Sequence, residues 1–124
     1  PDEAGRVIAA IKAACVEEGT RIDHDHYGAG FFYRFGADTD PCVQARVKMN
    51  LARLPDKDPK RLLVVGGATD IAQKLREYVE AGATKFVLRP VGEDADDVIN
   101  QTRMLAEQML PEVANMDIAA PAVA

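Results

Sequence analysis

The sequence has no apolar run approaching the ~20 residues a membrane-spanning helix needs, so it offers no candidate for one. It has only two cysteines, Cys15 and Cys42, too few for a disulfide framework. A reduced, cytoplasmic setting is the simpler expectation. It also lacks a basic stripe interleaved with aromatics. Its 15 lysines and arginines are scattered and outnumbered by 20 acidic residues, giving a net charge of -5. Nucleic-acid binding is therefore disfavoured. A signal peptide is missing too, because the first helical stretch is interrupted by Lys12 and ends in Glu17 and Glu18. The first residue is Pro1 rather than Met, which suggests a processed or truncated chain.

What remains is the composition of an ordinary globular protein, with 48% hydrophobic and 28% charged residues. A length of 124 residues suits one small domain. Val7, Ile8, Ile11, Ala14 and Cys15 recur at helical spacing over residues 3–18, and Gly19 is a natural stop. The run Tyr27–Phe35 (YGAGFFYRF) is too short and too glycine-rich for a stable helix and reads as a buried strand. Asp40 before Pro41 is a helix start, and Val43, Val47, Leu51 and Leu54 give that helix its apolar stripe. Leu62–Val65 is a short apolar strand closed by Gly66 and Gly67. A helix follows on Ile71, Leu75, Tyr78 and Val79, and then a strand over Lys85–Leu88 ended by Arg89 and Pro90. Glu93, Asp94, Asp96 and Asp97 open a last helix, where carboxylates complement the dipole. That helix carries Val98, Thr102, Leu105 and Met109 and is predicted to end at Pro111. Residues 115–124, rich in Ala and Pro, read as a flexible tail after a domain over 1–114.

The spacing predicts three strands alternating with four helices, an α/β arrangement. Such alternation implies parallel strands joined by right-handed crossovers. Three strands are few, and their edges need covering by another chain or segment.

The segment LLVVGGATDIAQKLREYVEAGATKFVLRP, Leu62 to Pro90, resembles the luciferase-like monooxygenase family through Val65-Gly66, Tyr78, Ala81-Gly82 and Phe86 to Arg89. The upstream stretch GTRIDHDHYGAGFFYRFG is similar to the same family through Gly19, Ile22, Asp23, His26, Tyr27 and Gly28. Leu110-Pro111 fits the family's C-terminus, so the resemblance spans roughly residues 1–113. One departure is Gly67-Ala68, where the family often has Thr-Pro. The resemblance implies the C-terminal portion of a (β/α)8 TIM barrel, a fold of typically about 250 residues. It further implies an oxidoreductase or monooxygenase using reduced FMN or a deazaflavin, with a small-molecule substrate. The expected partners are the missing N-terminal part of the barrel and further copies of the chain.

Barrel chemistry sits at the C-terminal ends of the strands. That rule selects Arg34, Gly66, Gly67 and Arg89 as candidate cofactor contacts. The guanidinium of Arg89 suits a phosphate or substrate anion; the alternative is a salt bridge to the acidic run at 93–97. Gly66-Gly67 could let backbone N–H groups approach a phosphate, or simply form a tight turn. Arg34 shares a strand face with Gly28, Gly30 and Phe32. It reaches either a cofactor or a salt-bridge partner. Tyr33 reads as a packed aromatic with a satisfied hydroxyl. His24 and His26, with Asp23 and Asp25, lie before the strand and read as solvated turn residues rather than metal ligands. Cys15 reads as a small core residue, and Cys42 has no base beside it in sequence. No catalytic residue is assigned. The rival readings are a non-catalytic α/β segment that completes or dimerises a barrel, and a flavodoxin-like domain, which needs more strands.

Overall fold

The computed structural model describes residues 1–116. The elements are α1 (Asp2–Glu17), a single 3-10 turn (His24–His26), β1 (Gly28–Phe35), α2 (Pro41–Arg53), β2 (Leu63–Gly66), α3 (Ala68–Glu80), β3 (Lys85–Pro90) and α4 (Ala95–Ala114). All pairing is parallel: β1 runs beside β2 from Phe32↔Leu63 to Phe35↔Gly66, and beside β3 from Gly28↔Lys85 to Tyr33↔Pro90. The fold is thus α/β with four helices on a three-stranded parallel sheet.

The strand order is β2-β1-β3. This differs from the consecutive order that a run of barrel strands would have. The reason is physical. β1 is the longest strand and the one with most aromatics, so burying it between two neighbours removes the most apolar surface from water. β2, four residues long, covers only the C-terminal half of β1.

That order also decides where the helices lie. The crossover from β1 to β2 runs one way, and the crossover from β2 to β3 runs back across β1. Right-handed connections then place α2 and α3 on opposite faces. One face carries the main core, in which Phe31, Tyr33, Phe35 and Val64 pack against Ile71, Leu75 and Tyr78 of α3 and Met109 of α4. Ile8 of α1 joins the same core. Phe31 and Tyr78 stack with ring centroids 6.0 Å apart, and Tyr33 and Ile71 are fully buried. The other face carries a smaller cluster of Val43, Val47, Phe32, Leu63, Val65 and Val91 beneath α2. Beyond that cluster this second face is bare among the described residues: Gly28, Gly30 and Lys85 are exposed, as is Val87 at 55%.

Several boundaries shift. Arg89 and Pro90 belong to β3 rather than ending it, since β3 is an edge strand and tolerates proline. Pro111 does not end α4, which runs on to Ala114. The carbonyl that loses its partner belongs to solvent-exposed Glu107, where the loss costs least. Met109, Val113 and Met116 all pack on the core and hold this last stretch down. Of the expected flexible tail, Asn115 and Met116 form a turn after α4, and residues 117–124 lie outside the described residues. In α1 only Ile8 is buried, while Val7 and Ala14 face solvent. In α4 Thr102 is exposed, and Gln101 takes the inward position assigned to it. No helix among the described residues is long and apolar enough to cross a membrane.

Candidate functional site

The C-terminal ends of the three strands form one rim. From β1 the chain turns to α2 on one face, and from β3 it turns to α4 on the other. In open α/β sheets, ligands bind in the crevice between two neighbouring strands that send the chain to opposite faces. Here that crevice lies between β1 and β3. Arg34, Gly66 and Arg89 all stand at the rim, with Arg34 on the central strand and the others to either side.

Arg34 fills the crevice. Its Nε donates to Asp40 Oδ2 at 2.7 Å, and its Nη1 donates to Asp97 Oδ2 at 2.7 Å and to the Val91 carbonyl at 3.0 Å. The side chain is only 12% exposed. Both carboxylates have a second task. Asp40 also accepts from the Ala37 N–H and Asp97 from the Glu93 N–H, each shaping the loop that enters its helix. Asp94 then caps α4 by accepting from the Asp97 N–H at 2.8 Å. Hydrogen bonding from Arg34, then from Ala37 N–H, holds the Asp40 carboxyl below the usual carboxylate range. The Glu93 N–H, then Arg34, does the same for Asp97. One guanidinium thus ties β1 to the N-termini of α2 and α4 and to the strand end of β3. An external anion would meet two carboxylates here, which favours the salt-bridge alternative for Arg34 over the cofactor contact.

Gly66 and Gly67 are likewise closed. Asp70 Oδ2 accepts from the Gly67 N–H at 2.8 Å, one half of a capping box. Gly66 has φ +149, and a Cβ on it would collide with that same carboxylate. The glycines therefore serve a tight turn. The position a phosphate would take holds the negative charge of Asp70, which favours the tight turn over the phosphate contact.

Arg89 is different. It is exposed on β3, and it does not pair with the acidic run, since no salt bridge involves it among the described residues. Its guanidinium carbon lies 5.5 Å from the ring centre of Phe32, its register partner on β1. Arg46 of α2 lies over the same ring at 4.2 Å. Beside them a cavity of about 680 Å³ opens between α2 and the end of β3, lined by Pro41, Cys42, Ala45, Arg46, Pro90 and Gly92 among others. Its size suits a small molecule.

Two participants escaped sequence reasoning. Arg46 carries no motif, and only the packing of α2 over β1 brings it to Phe32. Gln101 is 2% exposed. Its amide accepts from the Phe35 N–H at 2.8 Å and donates to the Phe35 carbonyl at 3.0 Å, past the point where β3 stops pairing. Its spacing from Val98 and Leu105 was the available signal. Tyr33 is packed as expected, its hydroxyl donating to the Gln101 carbonyl at 3.3 Å; burial pushes its pKa up. His24 and His26 lie at the other end of β1, with His26 against Asp25 in solvent. Cys15 is half-buried on α1, and half-buried Cys42, in the first turn of α2, packs against the cluster of Val43, Leu63 and Val91. The described residues contain no group of three metal-ligating side chains. Family models, curated proteins and solved structures offer no match to this chain.

Proposed function

We propose that the chain is a segment of a luciferase-like, flavin- or deazaflavin-dependent oxidoreductase, in which it helps to close the barrel and does not supply the reacting groups. The observation that carries this reading is the asymmetry of the β1–β3 pair. Its helices α3 and α4 lie on one face, while the other presents Gly28, Gly30, Lys85, Val87 and Arg89 to solvent. Two adjacent barrel strands have this character, with helices outside and a face that other strands complete. In this reading β1 and β3 are the barrel strands, and α2 and β2 form an excursion between them. The order of Tyr78, Ala81-Gly82 and Phe86 to Arg89 supports the same family.

The residues fit the cofactor poorly. Arg34 is spent on Asp40 and Asp97, and Asp70 stands against any phosphate at Gly66-Gly67. Arg89 alone of the four candidates is free to meet an anion. The cofactor phosphate would accordingly be held elsewhere, and no reaction step runs through the residues of this segment. Its partners would be the remaining barrel, a small-molecule substrate and further copies of the chain.

The competing reading, a non-catalytic α/β segment that completes or dimerises a barrel, rests on the same bare face. Titration with FMN and with a deazaflavin, followed by fluorescence quenching, separates the two. The oxidoreductase reading expects binding once the chain is extended upstream of Pro1. Loss of binding in the extended and isolated chains alike would sink it.

A further inference from the structure

We infer that Arg46 and Arg89, which meet over Phe32 beside the cleft between α2 and the end of β3, form an oxyanion-binding site and together take a phosphate or carboxylate group. The first support is the company these arginines keep. Arg21, Arg34, Arg61 and Arg76 each pair with a carboxylate, at Asp23, at Asp40 and Asp97, at Glu3 and at Glu112. Arg46 and Arg89, like Arg6, Arg53 and Arg103, have no such pair among the described residues, but these two converge on the single ring of Phe32. Two like charges held against one ring repel each other, and a bound anion relieves that repulsion. The chain carries 20 acidic residues. Glu93 lines this cleft without pairing to either arginine.

The second support is preorganisation. A guanidinium resting on an aromatic face is restrained before the ligand arrives, so less freedom is lost on binding. The half-buried setting of Arg46 screens it less than open solvent would. The third support is place. The cleft lies at the C-terminal end of the sheet, beside the crevice where β1 and β3 send the chain to opposite faces. Arg34 closes the crevice itself; this cleft is the part left open. The site does not depend on the oxidoreductase reading, because it requires only the described residues.

The test uses the whole chain and inorganic phosphate, with acetate and chloride at matched ionic strength. The arginine Nε–H resonances of Arg46 and Arg89 are followed by NMR. Phosphate is expected to shift both along one saturable curve while chloride does not. R46Q and R89Q should each weaken the binding by about tenfold, the loss of one charge-assisted contact. R103Q should leave it unchanged. If acetate binds as well, the site recognises oxyanions generally; if phosphate alone binds, it selects the tetrahedral, doubly charged group. Either result supports the site. R89Q is the decisive variant, since Arg89 is exposed and its replacement leaves the core intact. The proposal is overturned if phosphate shifts are no larger than those of chloride, or if R89Q titrates like the parent chain. A chain that binds phosphate but no flavin, even when extended, keeps this site and loses the oxidoreductase reading.

Discussion

Arg34 and Arg89 lie on the same face of neighbouring strands, only two residues apart in register. One guanidinium is clamped by two carboxylates, the other rests on an aromatic ring in solvent. Their fates differ because of what stands above each. The loops leaving β1 and β3 bring Asp40 and Asp97 onto Arg34, since both residues also shape the starts of α2 and α4. One layer down, α2 offers Arg89 no carboxylate and adds Arg46 instead. An arginine at a strand end is therefore a structural brace or an open cation, according to whether the neighbouring helix starts supply acids.

The largest expected effect is in Arg34→Met, which leaves Asp40 and Asp97 side by side without their cation. Breaking a buried pair costs more than an exposed one, and partial solvent screening brings the expected loss to about 2–3 kcal/mol. Arg89→Met should cost less than about 0.5 kcal/mol. Urea denaturation of the two variants measures the contrast, and equal losses would erase it. Next comes Gln101→Leu. It removes both partners of the buried Phe35 N–H and C=O, at about 2 kcal/mol. Thermal unfolding should show this as a lower midpoint with the helix content retained. Gly66→Ala should cost about 1–2 kcal/mol, because φ +149 is strained for an L residue and its Cβ meets Asp70. The additional change Asp70→Ala should recover only the steric part; full recovery would mean that the backbone is not strained there.

The smallest effect is in pH. Asp40 and Asp97 are both held below the usual carboxylate range, so the stability they add is present above about pH 4 and lost as pH falls through their native values. In Arg34→Met that acid-side loss should flatten. Denaturation midpoints measured from neutral pH down to acid decide it, and an unchanged slope would show that Arg34 is not the partner that matters.

Much of the fold was legible. Asp40-Pro41, Gly66-Gly67 and the acidic run at 93–97 marked helix starts correctly, because caps and turns are set by local backbone chemistry. The apolar pattern of Ile71, Leu75 and Tyr78 identified the buried face of α3 for the same local reason. The strand order was not legible. Which edge of β1 each strand takes depends on competition between long-range pairings, and no short stretch of sequence encodes it. The partners of the candidate residues were only partly legible. Asp70, three residues from Gly67, was near enough in sequence to foresee. The tie from Arg34 to Asp97 spans 63 positions and had no sequence signature.

By itself, then, the sequence determined that three short strands alternate with helices and lie parallel. Periodicity and capping act within a few residues, and they leave little freedom. Only the tertiary structure decided which strand is central, which face stays bare and which arginine stays free. Those outcomes depend on packing between distant segments: once β1 took the centre, opposite crossovers carried α2 and α4 to opposite faces. Their N-terminal carboxylates then closed over Arg34 and left Arg46 and Arg89 without a carboxylate among the described residues.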